Sequence, residues 1–519
     1  MQYQNLVQHY NEQPYESYAF PNSRPSHIST VSNLIGFKSI SCENARVLEI
    51  GCASGGNIIP IAAHNPNAEF IAFDITQTQI DLANQKVEEL GLKNIKFLCL
   101  DLNELPDLGK FDYIIAHGVH SWIPKELQPV LMKQIKNLLS TQGLAYVSYN
   151  TFPGWHYQQV VRNAMLFAGK EKNSATEKQD AGEFMLKILK STNNNTPHYG
   201  DLMKATLDLI DDSELGKHSY YIGHEYLDTF NNPTYFTDFI ASANENNLSY
   251  VTDAQIHSMF HPLSQDTLHD LYKIIGNDRI KYEQSLDFIK NRSFRQSIIA
   301  HSDACHDITG VIQNDEIANL YFCGKFSYVN TDIHGNKIYE YTDITGNRRN
   351  FNAVIEFSDI VYEYINSQYP RFVAYSELEQ HICSKNNLKY IDEETNQKLI
   401  YSLLLLIQGN FSEYSNFPPS LVPISSKPKV DDYIRMVIKY QAVCLATPCN
   451  YNMRTGPLDR ATISLLDGSR TIDEVYAILE PKADSFNLTL IGNEKTAQEA
   501  LRNRLQYCLN RYELHGILI

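Results

Sequence analysis

The 519-residue sequence predicts an α/β protein built on a doubly wound parallel sheet. Three observations predict it. Between residues 45 and 151, five short apolar runs alternate with amphipathic runs of helical period. The first apolar run ends in a glycine-rich turn, Gly51-Cys52-Ala53-Ser54-Gly55-Gly56. An acidic residue stands at the end of each of the first three runs: Glu49, Asp74 and Asp101.

Taken in order, ARVLEIG is a buried strand, NIIPIAAHN a helix and AEFIAFD a second strand. TQTQIDLANQKVEELG is an amphipathic helix closed by Gly91, where a left-handed C-cap favours glycine. NIKFLCLD and FDYIIAHG are the third and fourth strands, KELQPVLMKQIKNLLSTQG a helix ending on Gly143, and LAYVSYN the fifth strand. Strands alternating with helices over this span make a Rossmann-like sheet.

Beyond Thr151 the pattern changes. Residues 155–215 have helical period, interrupted by polar stretches. HSYYIGHEYL and LSYVTDA read as strands flanking a helix opened by Pro233, and are expected to complete the sheet at 217–255 as an antiparallel pair; a separate helical module over 215–300 is the alternative. The chain divides into an N-terminal arm (1–45), the α/β core (46–165), a helical middle domain (166–310) and two winged-helix-like modules (311–415 and 416–519). Thr471 and Glu474 form a capping box that opens a helix in the last of these.

With 60 acidic against 44 basic side chains the formal charge is −16, a field that repels phosphate backbones and suits a basic, lysine-bearing partner. No nucleic-acid partner is expected. Nine cysteines without a CxxC pair read as free thiols in a reducing compartment. The polar, aromatic N-terminus does not resemble a secretory signal, and no apolar run approaches 18 residues. A cytoplasmic protein, not embedded in a membrane, is expected.

The glycine turn lets backbone N–H groups approach a ligand. Two cofactors compete for it. A dinucleotide fingerprint would want glycine at Ala53; S-adenosylmethionine wants an acid two residues before the first glycine and a glycine four after it, and Glu49, Gly51 and Gly55 match. A carboxylate at Glu49 suits the cationic groups of that second cofactor. Asp74 can accept both ribose hydroxyls of either one, and Asp101 can accept from an adenine amino group, with the Leu102 N–H beside it. Cys52, Ala53, Asn57, Ile75 and His117 complete the expected cofactor-binding set.

At this point residues 45–151 resemble the class I methyltransferase core. Flanking strings narrow the resemblance: YESYAFPNSRPSHI before the core, AHGVHSWIP after the fourth strand, YNTFPGWH after the fifth, then HEYLDTFNNPTYF and EQSLDFIKNRSFRQ. Together they resemble methyltransferases carrying a methyltransferase regulatory domain, and are similar to bacterial protein lysine methyltransferases that modify outer membrane protein B. The resemblance implies S-adenosylmethionine as donor, its demethylated form S-adenosylhomocysteine as product, and lysine of an outer membrane protein as acceptor.

A lysine nucleophile must arrive neutral, so a group near the site must take its proton. His117 and His120 are the candidate acceptors. Trp122 and Trp155, the only tryptophans, fall in the two family strings and offer aromatic faces to an ammonium. Tyr149 completes the candidate catalytic set, with Ser121, Asn150, His156 and Tyr157 at the same mouth. His64 is expected to be structural. The fourth-strand loop reads AHGVHSW in place of the Asn-Pro-Pro-Tyr type turn that orients planar nitrogens, which disfavours their methylation. No HxxH, HExxH or carboxylate cluster suggests a metal; His301, Cys305 and His306 are the nearest grouping. The arm, with Tyr10, Tyr15, Tyr18, Phe20, Arg24 and His27, is expected either to fold over the open end of the sheet as a lid or to pack outside. A small-molecule methyltransferase and a catalytically silent cofactor-binding scaffold are the alternative functions.

Overall fold

The alternation over 45–151 becomes five parallel strands: β1 (Arg46–Ile50), β2 (Glu69–Asp74), β3 (Ile95–Cys99), β4 (Phe111–Ala116) and β5 (Leu139–Asn150). The computed structural model describes residues 17–172, 174–192, 197–212, 225–260, 263–440, 444–492 and 494–519. Two more strands, β6 (Leu248–Asp253) and β7 (Phe294–His301), complete a seven-stranded sheet of order β3-β2-β1-β4-β5-β7-β6. β1, β2, β4 and β5 bury apolar side chains on both faces, as a sheet covered on both sides requires. Val47, Tyr113 and Tyr146 pack on one side, and Leu48, Ile114 and Val147 on the other.

The antiparallel edge differs from the expected pair. LSYVTD is β6, but the strand between it and β5 is Phe294–His301; most of HSYYIGHEYL lies outside the described residues, and Glu225–Leu227 is helical. Three polar residues in succession, Arg295-Gln296-Ser297, hide β7 from a search for apolar runs. Arg295 is only 1% exposed because Asp287 accepts from its Nε and a terminal nitrogen at 2.8 and 2.9 Å and Glu283 lies at 3.2 Å, with the guanidinium 3.7 Å over the Phe236 ring. Removing one partner of such a buried pair leaves a charge uncompensated. Asp287→Ala is expected to destabilise the sheet by about 3–5 kcal/mol, read as a lower denaturation midpoint in tryptophan fluorescence.

A second difference concerns Gly143. The helix before β5 stops at Leu138 and the chain goes straight into the strand, so Gly143 is a strand residue. A Cβ there would lie 2.9 Å from the Phe111 carbonyl oxygen. Gly91, by contrast, takes the expected left-handed cap at φ +68°.

After β5, helices Gly154–Gly169, Ala175–Thr192 and Pro197–Asp212 form a lobe with its own core of Val161, Met165, Leu186, Met203, Leu207 and Ile210. Helix Phe236–Glu245, one turn after Pro233, packs on β6. Farther on, a three-stranded antiparallel sheet (Lys325–Thr331, Lys337–Thr342, Arg348–Ala353) packs with helices Ser358–Gln368, Tyr375–Asn386 and Glu393–Gly409. The last hundred residues carry a hairpin (Cys444–Ala446 with Asn452–Arg454) and helices Pro457–Leu465, Ile472–Leu479 and Ala497–Leu514. The Thr471–Glu474 capping box is formed in both directions. The closing GILI makes a single bridge, Val430 to Leu518, in place of a strand.

Candidate functional site

The carboxyl ends of β1, β2, β4 and β5 open into a cavity of about 620 Å³. This is where an open α/β sheet binds ligands, because the loops there diverge. Two ends of the cavity differ in chemistry.

The first end is built by the glycine turn. Gly51, Cys52, Ala53 and Asn57 line it. The turn is held down by the Gly51 and Cys52 N–H groups, which both donate to the Phe73 carbonyl at 2.9 and 3.1 Å. Asp74 reaches back to the turn: its Oδ2 accepts from the Ala53 N–H at 2.9 Å and its Oδ1 from the Thr76 N–H at 3.0 Å. Each oxygen keeps a lone pair for a ligand hydroxyl. Glu49 is buried; its Oε1 accepts from Asn57 Nδ2 at 2.7 Å, and its Oε2 has no hydrogen-bond partner. Burial pushes the Glu49 carboxyl up to about 8, and it raises Asp74 and the Cys52 thiol as well. A buried carboxylate with an unpaired oxygen aimed at a cavity calls for a cationic ligand group.

Two members of the expected set do not face this end. Gly55, at φ +78°, lies beneath the turn, where a Cβ would be 2.7 Å from Ile59 and 2.8 Å from Phe97. It is required for packing the turn on the sheet. Asp101 accepts from the N–H and side-chain amide of Asn103 at 2.8 and 2.9 Å, so it closes its own turn and does not line the cavity. Ile75 and Leu102 do line it, as apolar walls.

The histidines divide. His117 lines the cavity, stacked face to face on Phe20 with ring centroids 3.5 Å apart and its Nδ1 2.9 Å from the Tyr146 hydroxyl. Burial brings its pKa down to about 3. His120 does not reach the cavity: it packs edge-on to Phe239, beside Tyr149, and burial lowers it to about 4. Tyr149 is likewise turned away, stacked on Phe239 at 4.1 Å with its hydroxyl 2.9 Å from Ser297 Oγ. Strand alternation explains this, since Tyr146, Ser148 and Asn150 share one face of β5 and Tyr149 points to the other.

The second end of the cavity is aromatic and acidic. Trp155 lines it, 6.1 Å from the Tyr226 ring, and Trp122 is the second tryptophan in the cavity wall. Glu225, Asp228 and Asn150 line it too. Burial pushes the Glu225 carboxyl up to about 7, against the pull of the Arg162 guanidinium. Glu225 and Asp228 are absent from the expected set; the signal that marks them is an acid pair three apart around Tyr226 in HEYLD. Ser121 does not line the cavity: its Oγ accepts from the Asn150 N–H at 2.9 Å. His156 stacks on Phe152 at 4.1 Å. Tyr157 lines a neighbouring cleft of about 490 Å³, which shares Gln158 and Ser293 with the cavity.

A short strap covers the glycine turn. Ser17 and Phe20 line the cavity, and Ser17 Oγ accepts from the Gly56 N–H at 2.8 Å. A Cβ on Gly56 would lie 2.1 Å from the Ser17 carbonyl oxygen, so only glycine admits the strap here. His27 packs away from the cavity with Nε2 2.8 Å from the Ala254 carbonyl, and Arg24 Nε donates to Pro21 O at 3.1 Å. Tyr10 and Tyr15 lie outside the described residues. His64 packs against Tyr433 and lies 3.2 Å from Asp431. His301 pairs with Lys136 and the Leu139 carbonyl, and Cys305 Sγ donates to the His301 carbonyl. Among the described residues no three His, Cys, Asp or Glu side chains converge as a metal site, and no helix is long and apolar enough to cross a membrane.

Residues 41–196 match the family described as "Methyltransferase domain", and residues 218–301 the one described as "Predicted methyltransferase regulatory domain". The chain is 30% identical over 512 residues to the uncharacterised protein RP789 of Rickettsia prowazekii, covering 96% of this chain and 90% of that one. It is 33% identical over 236 residues to RP028 of the same organism, covering 45% and 93%. Its fold is similar to that of PKMT2 from Rickettsia typhi in complex with AdoHcy, at 25% identity and a TM-score of 0.83 over 97% of this chain and 100% of that one.

Proposed function

The chain belongs to the family of S-adenosylmethionine-dependent methyltransferases that carry a methyltransferase regulatory domain, and we propose that it methylates lysine side chains of a protein. The residues of the first end fit the donor. Glu49 offers its unpaired buried oxygen to the α-ammonium, and Asp74 has capacity left for the ribose hydroxyls. Ile75 and Leu102 provide apolar faces for the adenine. When bound, the donor supplies a methyl group already activated by the sulfonium, which leaves the protein to align the acceptor and exclude water.

The observation that carries the lysine assignment is the wall of the cavity, which holds two tryptophans and two carboxylates besides the groups fitted to the donor. Aromatic faces attract an ammonium by about 0.5–2 kcal/mol. Glu225, held at about 7, is matched to take a proton from the incoming amine and return it to water. His117, held at about 3, is too weak a base for that task and acts as a wall under Phe20. The adjoining cleft gives the residues flanking a lysine a path out, which favours a polypeptide over a small acceptor.

A bacterial outer membrane protein is the proposed substrate, supported by the family strings and by similarity to PKMT2, a protein lysine methyltransferase. The test is transfer from radiolabelled S-adenosylmethionine to a recombinant outer membrane protein, with a small-molecule extract alongside and mass mapping of labelled residues. Label on lysine Nζ is expected. Label confined to the extract would replace this function with small-molecule methylation.

A further inference from the structure

Asn57 follows the glycine turn and is buried, and every polar atom of its amide is committed. Its Nδ2 donates to Glu49 Oε1 at 2.7 Å and to Ser23 Oγ at 3.0 Å. Its Oδ1 accepts from the Phe20 N–H at 2.9 Å and from Asn450 Nδ2 at 2.9 Å. A backbone N–H can only donate, so the amide oxygen must face Phe20 and the NH₂ must face Glu49. Asn450 comes from the opposite end of the chain. It sits in a tight turn at φ +59°, where its N–H donates to the Thr447 carbonyl at 2.7 Å, and Asn450 Nδ2 also reaches the Phe20 carbonyl at 3.3 Å. Two residues on, Asn452 clasps the strap at Ala19, accepting from its N–H at 3.1 Å and donating to its carbonyl at 2.8 Å.

We infer that Asn450 is a positioning residue for cofactor capture: acting through Asn57, it holds Glu49 with one oxygen anchored and the other presented to the donor's ammonium. The C-terminal module thereby becomes part of the cofactor site without touching it. Without the Asn450 donor, the Asn57 oxygen keeps only Phe20 and Ser23, and the Phe20 carbonyl loses a partner, so both the carboxylate and the strap that walls the cavity through the Phe20–His117 stack are loosened. The inference rests on the cofactor alone and is independent of what the acceptor is.

The experiment is calorimetric binding of S-adenosylhomocysteine to the full-length chain, with KM for S-adenosylmethionine and kcat measured separately. Asn450→Ala is expected to weaken binding about tenfold, the loss of one buried hydrogen bond and the orphaning of its partner, and to raise KM likewise while kcat at saturation changes by less than about twofold. Asn450→Asp keeps the size and the left-handed turn but cannot donate, and is expected to do the same should the alanine variant misfold. The Asn57→Ala, Asn450→Ala double variant is expected to bind no more weakly than Asn57→Ala alone, because the two act in series. His64→Gln disturbs a different contact of the C-terminal module with the α/β core, the one to Asp431, and is expected to leave binding unchanged. Unchanged affinity in Asn450→Asp, additive losses in the double variant, or an equal loss in His64→Gln would each overturn the inference.

Discussion

Glu225→Gln is expected to lower kcat about a hundred- to thousandfold, the range a positioned general base contributes, and to leave S-adenosylhomocysteine affinity unchanged. The physical basis is the match between a carboxyl held at about 7 and an amine that must lose its proton inside a buried cavity. Glutamine keeps the shape and the hydrogen bond from Asn150 but cannot take a proton. In the unaltered enzyme kcat/KM is expected to rise with pH through about 7 as Glu225 ionises, and that limb is expected to vanish in the variant. A variant that retains both the rate and the limb would mean that the amine loses its proton before it enters.

Glu49→Gln is expected to weaken S-adenosylhomocysteine binding about a hundredfold, the loss of a charge-assisted hydrogen bond in a buried place. The carboxyl, held at about 8 by burial, is largely protonated at neutral pH in the ligand-free protein. Capture of an ammonium must then expel that proton, so affinity is expected to rise with pH up to about 8 and level off above it. Calorimetry in buffers of different ionisation enthalpy is expected to show release of nearly one proton at pH 7, and none in the variant. Stability moves the other way. Because the folded value lies above the usual 4.5, the Glu49 contribution is complete below about 4.5 and is lost as pH rises to about 8.

The core of this fold was legible because β1 to β5 carry mostly apolar runs whose ends are marked by glycines and acids. β7 was not, since Arg295 is an interior residue made tolerable by partners such as Asp287 and Glu283 on the preceding helix, a pairing that exists only after folding. Gly143 has the same look after a helix as a C-cap, and nothing local separates a cap from a strand glycine that must clear the Phe111 carbonyl. Glu49 and Asp74 stand where an acid at a strand end can serve a ligand, whereas Asp101, equally placed in the sequence, spends its oxygens on Asn103. Tyr149 was assignable to the far face from the alternation along β5, using Asn150 as reference. Glu225 and Asp228 are separated from β5 by the whole helical lobe, and Asn450 lies three hundred residues beyond Asn150, so only the three-dimensional fold brings the first two to the cavity and the third to Asn57.

The most direct measurement is a crystal structure of the full-length protein with S-adenosylhomocysteine and a lysine-bearing peptide. The expected result has the product's α-ammonium on Glu49 and the lysine Nζ between Trp122 and Trp155 within hydrogen-bonding reach of Glu225. A lysine bound elsewhere, or an acidic and aromatic end that stays closed to it while the product occupies the first end, would contradict the assignment of this protein as a lysine methyltransferase.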